Sequence, residues 1–238
     1  MTVPPNKTMK LLLCGYEGSK IILPTSSYLL NKYVPKSFDI YFLNFGAYNG
    51  KLFTGEFVSM AGSQAGGKGA WSKYIYEYVS GLKDKYVILG VDDHLINEKV
   101  NMDAYRKLYR TLGGNVKSVR LCDCTWYPAN QYNTSEDGIM SLKEDADYVV
   151  TGQYTLWDRK VLLELLEPER DVWNFESAGS QLYKDKGYRT NASFKPPFKY
   201  DTVSALSAGN PKINMNGVKQ KDLDFLISNG YLNSSLTI

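Results

Sequence analysis

The stretch Tyr86 to Ile96, YVILGVDDHLI, limits the folds open to this chain more than any other. Tyr86 to Val91 carries no charge and is rich in Val, Ile and Leu, the pattern of a strand buried on both faces. Such a strand needs helices on either side, which predicts an α/β architecture. The run ends on Asp92, Asp93 and His94, the single histidine of the chain. Ionised carboxylates at the mouth of a buried strand are costly unless a positive partner meets them. In open α/β sheets, ligands bind in the crevice beyond the carboxyl ends of the strands. The stretch therefore predicts a cation site, with an anion held through the cation. The competing reading makes Asp93 a turn cap and leaves Asp92 solvated.

Strands and helices alternate through the first half. Met9 to Cys14 and Phe38 to Phe45 read as strands, and Phe57 to Met60 as a shorter one. Tyr28, Leu29, Leu30 and Tyr33 predict a helix that Pro35 stops. Trp71, Tyr74, Ile75, Tyr78, Val79 and Leu82 recur at helical spacing. Val100 to Leu112 predicts a further helix and Val116 to Leu121 a further strand. Trp126 to Asp145 reads as loop, Tyr148 to Thr155 as strand, and Trp157 to Leu166 as helix closed by Pro168. Asn174 is the expected N-cap of a helix running to Gly187. Thr190 to Lys212 reads as irregular, and Lys221 to Ser228 as a short last helix. No linker-like break interrupts the chain, so a mostly parallel sheet flanked by helices is expected within a single domain.

Composition excludes several classes. At 43% hydrophobic and 22% charged, the 238 residues suit a globular protein with an ample core. A net charge of +3 is too small to argue for nucleic acid. No apolar window of ~18 residues predicts a transmembrane segment; peripheral membrane contact is left open. The apolar core of MTVPPNKTMKLLLCG is too short for a signal peptide. Cys14, Cys122 and Cys124 are odd in number and fit reduced thiols, so a cytoplasmic location is expected. Without an export signal, the sequons at Asn6, Asn133, Asn191 and Asn233 count as chance.

Three constellations carry chemistry. Mn2+ and Mg2+ favour carboxylate oxygens and bridge to phosphates, which suits Asp92 and Asp93. His94 is either a third ligand or a polar turn residue. The loop Gly62 to Lys68 nearly matches a phosphate-cradling P-loop, but Gly69 replaces the hydroxyl residue that would bind the metal. With Asn174 as cap, Glu176 falls in the first helical turn, where the helix dipole favours its ionised form and suits it to accept a proton. Trp126, Trp157 and Trp173 suit sugar stacking and suit a core equally well.

The linked set AWSKYIYEYV, YVILGVDDHLI, YVVTGQYTLWDR and VWNFE resembles the GT-A-fold glycosyltransferases of surface-polysaccharide gene clusters in bacteria and large viruses. The resemblance covers Trp71 to Ser180 and, more weakly, the first strand. It implies a Rossmann-like sheet whose nucleotide-binding half is residues 9–125 and whose irregular acceptor-side, catalytic half is residues 126–238. It implies that Asp92 touches ribose or metal, and that Asp93, with Asp92 or His94, holds Mn2+ or Mg2+ on a nucleoside-diphosphate sugar. Gly15, Tyr16, Ser63 and Trp71 would line the nucleotide, and Gln153 would face the donor sugar. Glu176 would be the base of an inverting transfer to a glycan or lipid-linked glycan, with Trp126, Trp157 and Trp173 contacting the acceptor. The motif here is D-D-H where the family has D-x-D. A P-loop NTPase, a nucleotidyltransferase and a non-enzymatic glycan-binding protein are the alternatives.

Overall fold

Leu11, Leu12 and Leu13 show how the layers form. All three are fully buried, yet Leu11 and Leu13 join one core while Leu12 joins another. Successive side chains of a strand point to opposite faces, so an unbroken apolar run demands cover on both. Each buried leucine contributes roughly 1.5–3 kcal/mol.

A computed structural model of the chain describes residues 8–60, 71–166, 169–202 and 218–232. The first half comprises β1 (Met9–Cys14), α1 (Leu23–Tyr33), β2 (Phe38–Phe45), β3 (Glu56–Met60), α2 (Trp71–Ser80), β4 (Tyr86–Val91), β5 (His94–Ile96), α3 (Met102–Tyr109) and β6 (Val116–Arg120). The second comprises β7 (Tyr132–Thr134), β8 (Ile139–Leu142), β9 (Thr155–Asp158), α4 (Arg159–Leu166), α5 (Val172–Asp185), β10 (Arg189–Ser193), β11 (Tyr200–Thr202) and α6 (Gln220–Ser228). The main sheet runs β3-β2-β1-β4-β9-β6-β10-β8-β7. β3, β2, β1 and β4 are parallel; β9 lies antiparallel between β4 and β6, and β10 is parallel to β6. The sheet is therefore mixed and mostly parallel. Residues of α1, α3 and α6 close the core on one face, and those of α2, α4 and α5 close it on the other. β5 and β11 form a separate antiparallel ribbon.

β1, β2 and β4 match their predicted spans. Three expectations are corrected. Tyr148 to Tyr154 is not strand; the strand is β9, Thr155–Asp158, which takes Trp157 and Asp158 from the expected helix, so that α4 starts at Arg159. The ladder is lost because the helix below takes the backbone groups: Glu176 accepts the Gly152 amide, and Ser180 Oγ accepts the Val150 amide. The stretch expected as loop contains the β7–β8 hairpin, which pairs onto β10 through β8. The stretch expected as irregular contains β10 and β11.

The loop after β3 lies outside the described residues, and Ser63 with it. β3 is an edge strand, separated from β4 by β2 and β1. Strands spaced ~4.8 Å apart put the two strand ends roughly 14 Å from one another. A P-loop and its Walker-B acid must hold one metal ion between them. The sheet order argues against that pairing.

Candidate functional site

Because β9 is antiparallel, its entry segment lies at the same sheet end as the exits of β1, β2, β4 and β6. Gly15, Asn44, Asp92, Cys122 and Gln153 are thereby gathered at one edge, where ligands of open α/β sheets bind.

Asp92 is buried, at 3% exposure. Its Oδ2 lies 2.5 Å from Ser19 Oγ and 3.5 Å from Asn44 Nδ2, which also donates to Ser19 at 3.0 Å. The tight turn Glu17–Ile22 supplies Ser19, which accepts the Tyr16 amide. Burial pushes the Asp92 carboxyl well above the usual carboxylate range; the Ser19 bond works against that, and the charge of Asp93 adds to it. Gly15 lies directly against this carboxylate. Tyr16 is half-buried beside both acids. Its hydroxyl is buried without a partner, and burial, then the charges of Asp92 and Asp93, push it up to about 12.

Asp93 is different. Its Oδ1 is buried with no hydrogen-bond partner, and burial raises the carboxyl to about 6. His94 is the first residue of β5, not a polar turn residue: it is 8% exposed and stacks on Tyr200 at 4.2 Å. Burial lowers it to about 4, so the ring is neutral at pH 7, and its Nδ1 has no partner. Its Nε2 lies 4.0 Å from Asp93 Oδ1. Tyr154 fixes the turn, donating to the His94 carbonyl at 2.7 Å while its ring packs on Gly90.

Among the described residues, no group of three or more His, Cys, Asp or Glu converges as a metal site. The three-residue set Asp92, Asp93 and His94 is thus not a ready-made cage, because Asp92 Oδ2 is committed to Ser19 and Asn44. A hard cation that keeps waters and takes substrate phosphates needs only one or two carboxylates. The orphaned oxygen of Asp93 fits that demand, with the neutral His94 ring adjacent.

Glu176 reaches the site by another route than expected. The cap of α5 is Asp171, whose carboxylate accepts the Asn174 amide at 2.7 Å. Asn174 therefore sits inside the first turn, Glu176 lies in the second, and the dipole argument for Glu176 falls. Instead its Oε1 accepts the Thr151 hydroxyl and the Gly152 amide, both at 2.8 Å. Its Oε2 has no hydrogen-bond partner among the described residues. A Cβ built on Gly152 would meet Val91 Cγ1 at 3.4 Å and Glu176 Oε1 at 3.8 Å, so Glu176 lies one glycine away from the end of β4.

The remaining candidates divide. Gln153 is half-buried, its Oε1 accepting from the Cys122 thiol at 3.3 Å. Trp71 is half-buried against Phe175 of α5, a packing contact in the second core. Trp126 and Trp173 are exposed, at 51% and 70%. Trp157 is corrected: it is fully buried in β9, packed edge-on against Phe175 and Tyr183, and cannot touch an acceptor. Ser19, Asn44, Thr151, Gly152 and Tyr154 hold the site and were not predicted. One signal was available, the single amide Asn44 in the otherwise apolar end of FDIYFLNF.

No protein-family model and no curated protein sequence matches the chain. Solved structures do. S. aureus TarS superposes with a TM-score of 0.52 at 15% identity, over 83% of this chain and 37% of that one. TarS 1–349 in complex with UDP gives 0.52 at 15%, over 83% of this chain and 61% of that one. The mannosyltransferase PcManGT from Pyrobaculum calidifontis, in complex with GDP-Man and Mn2+, gives 0.50 at 13%, over 87% and 60%. The chain thus has the α/β, GT-A-like fold of known glycosyltransferase structures. It spans less than two thirds of the length of each.

Proposed function

We propose that the protein transfers a sugar from a nucleoside-diphosphate sugar to a hydroxyl of a glycan or lipid-linked glycan, with inversion at the anomeric carbon. The observation that carries the reading is Glu176: Oε1 anchored by two hydrogen bonds, Oε2 without a partner, one glycine away from the strand that ends in Asp92 and Asp93. A carboxylate held at one oxygen presents the other to a hydroxyl proton without needing to reorganise. The acceptor oxygen, as it loses that proton to Glu176, attacks the anomeric carbon opposite the departing diphosphate, and a single in-line displacement inverts the centre.

The donor lies across the strand ends. Asp93, with His94 beside it, would hold Mn2+ or Mg2+, which stabilises negative charge on the leaving diphosphate when bound. Asp92 stays fixed by Ser19 and Asn44, closing the floor against Gly15. Tyr16 offers its ring beside the two acids, and Gln153 offers its amide toward the donor sugar. The UDP and the GDP-Man with Mn2+ bound by the structural neighbours support a donor of this class.

A panel of nucleotide sugars, assayed for nucleoside-diphosphate release in the presence of Mn2+ and mixed glycans, identifies the donor. Glu176→Gln is expected to lower transfer by at least ~100-fold while donor affinity stays within about twofold. Normal turnover by that variant would remove Glu176 from the chemistry. In a thermal-shift panel, stabilisation by nucleoside triphosphates alone, with phosphate or diphosphate release, would favour the NTPase or nucleotidyltransferase alternative. Stabilisation by glycans and by no nucleotide would favour the binding protein.

A further inference from the structure

Among the described residues, Tyr148 is the one non-glycine residue with positive φ, at +47°. That backbone crowds an L side chain, and tyrosine lacks the short polar side chain that eases Asn or Asp into it. Glycine adopts it freely. Strain of this kind persists where the surroundings impose it, and it gathers at sites where the strained residue is used.

The surroundings here are built. Arg120, fully buried, donates through Nη2 to the Tyr148 carbonyl and through Nη1 to the Tyr127 hydroxyl at 3.0 Å. That hydroxyl reaches the carbonyls of Asp147 at 2.7 Å and Tyr148 at 3.0 Å. Tyr148 is 54% exposed, and its ring has no stacking or hydrogen-bond partner among the described residues. Trp126 stacks on Tyr127 at 4.0 Å, with its ring 5.9 Å from the Arg120 guanidinium carbon. Two exposed rings are therefore anchored on one buried guanidinium. Three residues after Tyr148, the chain delivers Thr151 and Gly152 to Glu176.

We propose that Tyr148 is an acceptor-binding residue: with Trp126 it forms a stacking platform for the apolar face of a pyranose in a glycan acceptor, and the left-handed turn exists to present it. This rests on the reading of Glu176 as the base that serves that acceptor. A flat ring with a polar tip suits a sugar, which has an apolar C–H face bordered by hydroxyls. A residue kept only for the turn would be glycine.

The test uses the full chain and two variants, Tyr148→Gly and Tyr148→Phe. Each is melted, titrated with UDP and GDP in the presence of Mn2+ by calorimetry, and applied to an array of immobilised oligosaccharides. Tyr148→Gly is expected to melt at the wild-type temperature or up to ~2–4 °C above it, since a strained turn is relieved. Its nucleotide affinity should be unchanged. Glycans that the wild-type chain retains should bind about tenfold more weakly to it, while Tyr148→Phe keeps most of the retention. Equal glycan retention by Tyr148→Gly overturns the proposal. So does a melting temperature lowered by more than ~5 °C, which would make the ring a packing element. Nucleotide binding by a wild-type chain that retains no glycan overturns the platform and leaves the donor site standing. Failure of the wild-type chain to bind any nucleotide overturns the transferase reading itself.

Discussion

Replacing Gly15 by alanine inserts one methyl group into the contact on which the strand ends close. Its Cβ would stand 1.9 Å from Asp92 Oδ2 and 2.5 Å from Ser19 Oγ, where ordinary contact starts near 3.4 Å. The backbone there is not left-handed, so the cost comes from that contact alone. The Asp92 carboxylate must retreat by about 1.5 Å, which breaks its 2.5 Å contact with Ser19 and its 3.5 Å contact with Asn44. Leaving a buried hydrogen-bonding group without its partner costs ~1–3 kcal/mol. Overpacking adds ~1–3 kcal/mol. A total of roughly 2–6 kcal/mol consumes a large part of a domain's stability and lowers the melting temperature by about 4–24 °C. The measurement is a thermal melt of Gly15→Ala in the wild-type and Asp92→Ala backgrounds. The second cost should be smaller by at least ~1 kcal/mol, since the obstructing oxygen has gone. Wild-type stability of Gly15→Ala, or equal costs in both backgrounds, would refute the contact argument.

Tyr154→Phe deletes the 2.7 Å bond to the His94 carbonyl; a loss of ~1–3 kcal/mol in urea denaturation is expected, with weakened Mn2+-dependent nucleotide binding by calorimetry. Trp157→Ala should cost ~3–5 kcal/mol because the side chain is fully buried. Trp173→Ala, at 70% exposure, should stay within ~0.5 kcal/mol of wild type in the same melts. Asp222 of α6 is buried and bonded to Lys32, Tyr28 and Tyr33. Burial opposes its charge, but the Lys32 and Tyr33 bonds outweigh it and hold the carboxyl below its usual value. The stability it contributes is therefore complete above the unfolded value near ~4 and falls as pH drops through the folded one. Asp222→Asn should be less stable at pH 7, and the gap to wild type should shrink in melts taken below about pH 4.

Strands β1, β2 and β4 were legible because an apolar run with no polar residue has one comfortable place, the middle of a covered sheet. The start of α5 was not, because Asp171 and Asn174 are both good caps and only the fold shows whose oxygen reaches an amide. Tyr148 to Thr155 has strand composition, yet Thr151, Gly152 and Val150 give their hydrogen bonds to α5, a competition invisible from local pattern. In the candidate site, Asp92 and Asp93 stood out because carboxylates at the end of an apolar run are conspicuous, whereas Glu176 was singled out by a first-turn argument that the Asp171 cap removes. The partners of Asp92 did not stand out. Ser19 and Asn44 are short polar residues, 73 and 48 positions from Asp92, and no spacing rule links them. Trp157 was ambiguous for the reason that makes tryptophan informative: one ring suits a core and a sugar equally.

The placement of β9 has a consequence for how the chain matures. β4 and β6 are not paired with each other; each pairs with β9, whose residues come from beyond position 150. A nascent chain that has emerged only through β6 holds two strands with open hydrogen-bonding edges, templates for pairing with other chains. The ribbon that braces His94 waits longer still, for Thr202. The first and second halves of the chain are thus interleaved in one sheet rather than concatenated. Recombining halves from different homologues at a mid-chain junction would divide the sheet, so any exchange of sequence between them has to be made by substituting loops within an intact strand order.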